Sequence, residues 1–206
     1  MHISDGVLPI QVSIAAYGAS IGIIGLSVYK TKGEDIPKIA VVTASFFVAS
    51  LLHIPLGPTS VHLLIPGLVG ILLYNSAFLA IALGLVLQCI LFQFGGITAL
   101  GANAIMMGIP ALICGWIFKL LKGSKIISHT VVAAFCGGLG VILSTLFLSL
   151  LLFTGGENFI GVAKLAIVAH MPVLIIESII SAFTISFLYK VKPELIGVYK
   201  IEDIYE

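Results

Sequence analysis

TVVAAFCGGLGVILSTLFLSLLLF, residues 130–153, runs for 24 residues without an Asp, Glu, Lys or Arg. A helix rises about 1.5 Å per residue, so this stretch would extend about 36 Å, enough to cross the ~30 Å hydrocarbon core of a bilayer. Further apolar stretches lie near 9–29, 39–54, 63–75, 76–93, 104–121 and 163–189. The stretch 63–75 is too short for an unbent span, so the 55–75 region reads as a bent or re-entrant piece, with six spans as the fallback to seven. Of the 206 residues, 60% are hydrophobic and 9% charged, and the mean hydropathy is +1.23. Soluble domains carry about 25% charged residues, so an ordinary soluble fold is excluded. The expectation is an all-α polytopic membrane protein of about seven transmembrane helices forming one integral domain over 1–206: an N-terminal segment 1–8, a bundle 9–189 and a tail 190–206.

The chain has ten Lys and no Arg, and a net charge of +1, which leaves nucleic-acid binding without its usual basis. Lys30, Lys32 and Lys38 fall in the first connection, Lys119, Lys122 and Lys125 in the fifth, and Lys190, Lys192 and Lys200 in the tail. Seven spans put all three segments on one side, with Lys164 opposite. The positive-inside rule makes that side cytoplasmic, so the N-terminus and the connections 55–62, 94–103 and 154–162 are expected outside. The start, MHISDGVLP, carries Asp5 where a signal peptide would be basic, so no cleavage is expected. The bulky His2 also disfavours removal of Met1.

Cys89, Cys114 and Cys136 stand alone in apolar runs without a CxxC spacing and read as buried, unreactive thiols. The histidines differ in placement. His2, His53 and His62 are expected on the outer face, His129 on the inner side, and His170 two turns into the last span. Three imidazoles near one surface suggest a metal site. The alternative is that His53 and His62 bond loop carbonyls at the interface and that His2 is disordered.

A free amine on residue 1, the amide nitrogen of residue 2 and Nδ1 of a histidine at residue 2 close adjacent chelate rings. They offer three nearly coplanar nitrogens from two residues, and His62 would complete a planar set of four. That geometry suits Ni(II), Cu(II) or low-spin Co(II) rather than Zn(II), Mg(II) or Ca(II). Thr59 and Ser60 offer hydroxyls that could orient His62. The turn FGGITALGAN, 94–103, is placed to close over the N-terminal segment, with Asn103 as a candidate helix cap. Within the spans, Glu177 is the costliest residue, and His170 shares its helical face seven positions earlier. Pro172 is expected to kink the helix between them. Gln88 and Gln93 read as interhelical hydrogen-bond partners.

MHISDG at the start, GPTSVHLL at 57–64, FGGITALGAN, and AHMPVLIIESIISAF followed by FLYKVKPEL resemble, over nearly the whole chain, the CbiM/NikM group of substrate-binding membrane components of energy-coupling-factor (ECF) transporters. The resemblance implies seven spans with the N-terminus outside, and a metal held by the amine of Met1, the amide and imidazole of His2, and His62. His53 is left as a neighbouring, outer contributor. It also implies Co(II) or Ni(II) as transported substrate, no organic cofactor, and a prokaryotic plasma-membrane location. Cobalt, for cobalamin synthesis, is favoured by the GPTSVH form of the loop, with nickel as the alternative. The implied partners are a transmembrane coupling subunit, cytoplasmic ATPase subunits and, in many systems, a small accessory membrane protein. The chain itself has no GxxxxGK[ST] motif and is expected to be a binding subunit, not an enzyme. A remote alternative is an intramembrane metalloenzyme using His53, His62 and His170; it lacks an HExxH motif, and Glu177 is expected deep in the bilayer.

Overall fold

The computed structural model describes residues 2–51, 53–56, 59–122 and 128–198, with the backbone alone described for 53–56, 59, 60 and 158. The chain folds as α1 (Ile10–Lys30), α2 (Ile36–Ala49), a hairpin of β1 (His53–Leu56) and β2 (Thr59–His62), α3 (Pro66–Leu73), α4 (Ala77–Phe92), α5 (Leu100–Leu121), α6 (His129–Thr154), α7 (Ile160–Ala169) and α8 (Met171–Val191). Among the described residues, five helical stretches are long and apolar enough to cross a membrane, one of them being Pro66–Phe92.

That stretch is interrupted. Tyr74 takes φ 48°, and the chain reverses over Tyr74–Ser76. The side-chain sequence along α5 shows the reversal: Gly70 lies against Ala111 and Gly115, Tyr74 meets Lys122 at the end of α5, and Phe78 has returned to Gly108. The short 63–75 piece is thus an eight-residue helix, α3, entered from the hairpin.

Two expected helical ends are corrected. The stretch 39–54 is helical only to Ala49; His53 begins a strand that pairs with β2 in the register His53↔His62 and Leu56↔Thr59. Pro55 interrupts any helical continuation, since proline has no N–H to donate. The stretch 163–189 is two helices, broken at His170. Pro172 stands in the first turn of α8, where its missing N–H costs nothing, but it cannot donate to Val168 as an unbroken helix requires.

Glycines set the packing. A side chain on Gly67 would meet the carbonyl of Cys136 and Cα of Gly137, one on Gly70 the carbonyl of Ala111, and one on Gly137 the carbonyl of Glu177 and Oγ of Ser181. So α3 lies backbone to backbone on α5 and α6, and α6 does the same on α8. Small residues at such crossings let dispersion contacts and polar bonds replace the hydrophobic drive that lipid does not supply. Cys114 and Cys136 are buried between α5 and α6, each thiol donating to the other residue's carbonyl, at 3.3 and 3.5 Å.

At one end of the bundle, Lys38 Nζ donates to the Leu195 carbonyl and Lys122 Nζ to that of Gly197, each at 2.6 Å, and Tyr74 donates to Ile196 at 2.9 Å. The lysine-bearing connections 30–38, the end of α5 and the tail after α8 therefore gather at one end. Lys125 and Lys200 lie outside the described residues.

Gly67→Val should lower the melting temperature in detergent by several degrees, an overpacking cost of about 1–3 kcal/mol, because its neighbours are backbone and cannot yield. Gly18→Val, which meets nothing within 4 Å, should leave it unchanged.

Candidate metal centre

The opposite end holds the N-terminal segment, which is built into the protein. Ile3 is fully buried, its N–H donating to Asn103 Oδ1 at 2.8 Å. Its carbonyl accepts from Asn103 Nδ2 at 3.1 Å and from the N–H of Gly96 at 3.2 Å. Asp5 Oδ1 accepts from the hydroxyl of Thr98 at 2.6 Å and its N–H at 2.8 Å. The Thr98 hydroxyl, with the backbone donors of Thr98 and Ile97, holds the Asp5 carboxyl below the usual carboxylate range. Those bonds are therefore present above ordinary carboxylate pKa values and lost only as pH falls through the lower folded value.

The 94–103 turn does close over the segment, and glycine is required to let it. Gly95 takes φ 67° and a side chain there would press on His2, while one on Gly96 would strike Asp5. Asn103 is not the helix cap expected of it. The first turn of α5 starts at Leu100, which leaves Asn103 inside the helix with its amide turned onto Ile3. On the other flank, the hydroxyl of Tyr17 donates to Ile97.

This anchoring buries His2, 5% exposed, against His62, 3% exposed. The rings lie 4.7 Å apart, centroid to centroid, and His2 Nδ1 faces His62 Nε2 at 3.2 Å. Their other nitrogens are engaged: His62 Nδ1 with the Leu63 carbonyl and His2 Nε2 with Gln88 Oε1, both at 2.6 Å. A backbone carbonyl only accepts, so His62 Nδ1 carries the proton and His62 Nε2 presents its lone pair toward His2 Nδ1. Burial holds the His62 imidazole neutral, pushed down to about 4, against the Leu63 bond and with the neighbouring charge of His170 adding to the effect.

The other expected residues divide. Met1 lies outside the described residues. His53 is the backbone partner of His62 in the hairpin, and Thr59 and Ser60 belong to β2; their side chains lie outside the description. His170 is buried at the α7/α8 junction, where Nδ1 donates to the Ala166 carbonyl at 2.7 Å. His129 stacks on Tyr189 at 4.8 Å. Glu177 is buried on α8 and hydrogen-bonded. Its Oε1 accepts from the backbone N–H groups of Leu64 and Ile65, two and three residues after His62.

Gln88 is the residue whose role the sequence reading missed, since it serves His2 rather than another helix. Its signal was a lone polar side chain in the apolar run 77–92. Among the described residues no group of three or more His, Cys, Asp or Glu side chains is gathered for a metal. Two imidazoles supply two of the four donors a square plane takes.

Residues 2–195 match the family model described as CbiM, cobalt uptake substrate-specific transmembrane region. The chain belongs to the CbiM family. It is 34% identical over 204 residues to a Haemophilus influenzae protein named for metal transport, covering 96% of this chain and 97% of that one. A fused nickel transport protein, NikMN, is named in Archaeoglobus fulgidus at 31% identity, covering 95% of this chain and 68% of that one. A protein named for cobalt transport in the same organism is 29% identical, over 97% of this chain and 100% of that one. Two crystal structures described as transition metal transporters superpose with TM-scores of 0.81. They are 25% and 23% identical and cover 93% and 92% of this chain and 93% and 99% of theirs. This CbiM member is a membrane protein of a cobalt and nickel transport family.

Asn103→Ala should free the N-terminal segment by removing both bonds to Ile3. Leaving the buried Ile3 N–H unpaired, while its carbonyl keeps the Gly96 bond, costs about 1–3 kcal/mol, so amide exchange of residues 3–7 should quicken by roughly tenfold or more with the helices still protected.

Proposed function

We propose that this chain is the substrate-capture component of an ATP-driven ECF-type uptake system for Co(II) or Ni(II), holding the ion at His2 and His62. The observation that carries the reading is the pair of buried imidazole nitrogens, His2 Nδ1 and His62 Nε2, facing each other at 3.2 Å, with the His62 tautomer set by the Leu63 carbonyl. Cis nitrogens on an ion with metal–nitrogen bonds of about 2 Å sit roughly 2.8 Å apart in a square plane, so only a small closure of this pair is needed. The amine of Met1 and the amide nitrogen of His2 complete the plane. A deprotonated amide is a ligand that strongly polarising late transition ions accept.

Cobalt is the first cargo, on the GPTSVH form of the loop, with supply to cobalamin synthesis as its use. Nickel is the second reading, favoured by its fit to a planar four-nitrogen set and by the likeness to the protein named NikMN. The end carrying the lysines faces the cytoplasm of a prokaryotic cell and the metal end faces outward, on the positive-inside rule. A transmembrane coupling subunit, cytoplasmic ATPase subunits and a small accessory membrane protein complete the system, and the hydrolysis takes place on them.

One residue inserted after Met1 should abolish tight Co(II) and Ni(II) binding in equilibrium dialysis without lowering the melting temperature of the metal-free protein. His62→Ala should weaken binding by at least tenfold, and His129→Ala should not change it; undiminished affinity of the inserted variant would rule the chelate out.

Affinity should rise with pH. Below the usual range of an α-amine, about 7.7–8.0, binding releases one proton from the amine and one from the amide, so the apparent association constant climbs about a hundredfold per pH unit. Above that range the climb is about tenfold. His62, neutral above about pH 5, adds nothing to the slope. Ni(II) titrations between about pH 7 and 9, above the ordinary imidazole range, check this, and a flat profile would contradict the assignment.

A further inference from the structure

We infer that Glu177 is a positioning residue for the metal site: from α8 it holds the backbone that follows β2, and so sets where His62 Nε2 points. The inference rests on the ligand set proposed above. Glu177 is 1% exposed, and its Oε1 receives two backbone donors, the N–H groups of Leu64 and Ile65, the second at 2.9 Å. Those donors have no helix or strand to serve. Strand β2 ends at His62 and α3 begins at Pro66, and Ile65 stands between them at φ 42°. A β-branched residue in the left-handed region persists only where its surroundings dictate it. Here the carboxylate oxygen collects both N–H groups from one side, while the Ile65 carbonyl receives the N–H of Val69 at 3.0 Å as α3 begins.

The path to the metal site is short. With Leu64 and Ile65 fixed, the Leu63 carbonyl has a fixed direction, and it is the acceptor that orients His62 through Nδ1. The anchor itself does not shift, because a side chain on Gly137 of α6 would meet the carbonyl of Glu177, and one on Gly67 of α3 the backbone of Gly137. Three helices thus clamp the carboxylate and its acceptor site together. The second oxygen, Oε2, has no hydrogen-bond partner among the described residues, so one accepting oxygen does the holding.

The role requires an acceptor, not a charge. Glu177→Gln keeps a carbonyl oxygen in place and should bind Ni(II) within a few-fold of the parent. Glu177→Leu suits an apolar helix but strands two buried N–H groups, and should bind Ni(II) about 10–100-fold more weakly, the usual scale for an outer-shell partner of a ligating histidine.

The deciding readout is the Ni(II) d–d absorption band of the full-length protein with a free N-terminus, saturated with the metal alone. Loss of the His62 nitrogen leaves three nitrogens and a weaker-field water, which moves the band to longer wavelength. Glu177→Leu should show the shifted band of His62→Ala, and Glu177→Gln the parent band. General destabilisation would lower the loaded fraction without moving the band. An unshifted band in Glu177→Leu, or a shifted one in Glu177→Gln, overturns the inference. If His62→Ala itself leaves the band in place, the ligand set is what fails.

Discussion

Backbone contact between helices, at glycines, is the constraint on which the other features depend. Gly137 touches α8 at Glu177 and Ser181 while its neighbour Cys136 touches α3 at Gly67, so one turn of α6 brings together elements 110 residues apart in sequence, Gly67 and Glu177. In lipid, apolar side chains gain little by leaving one apolar surrounding for another, and close backbone packing with a few polar bonds decides which helices meet. The glycines of FCGGLG do this twice on one helix, and the loop ahead of α3 is carried into reach of a carboxylate as a result.

The N-terminal segment solves a different problem. A chain end is ordinarily disordered, and ordering each residue's backbone costs about 1–2 kcal/mol of conformational entropy. Ile3 in the core, two side-chain bonds from Asn103 and the Asp5–Thr98 pair offset that cost before any ion arrives. The two imidazoles are already in place, His2 Nδ1 facing His62 Nε2. An ion held as proposed would spend little on ordering the protein, which is the general route from modest contacts to high affinity.

The long apolar helices were legible because hydropathy acts locally and does not depend on partners. His2 and His62 could be singled out as candidate donors because chelation by a second-position histidine is a matter of chain chemistry. Other features were not. The β1–β2 hairpin lies in an apolar context where strand and helix share the same composition, and its register follows from what β2 docks against. The break at His170 was visible in Pro172 as a kink, but two separate helices required packing of α7 against the hairpin side of the bundle. Asn103 and Gln88 read as generic polar residues, since a cap, an interhelical bond and a bond to a threaded chain end look alike in sequence.

By itself the sequence determined the apolar, helical class and which nitrogen-bearing side chains were on offer, for these follow from side-chain hydrophobicity, charge and residue chemistry. Only the tertiary structure decided that His2 Nδ1 meets His62 Nε2, that Gln88 and the Leu63 carbonyl engage the far sides of both rings, and that Glu177 holds the backbone that follows His62. Those are relations among residues separated by tens of positions, and they exist because glycine crossings and one buried chain end fix distances that no local pattern encodes.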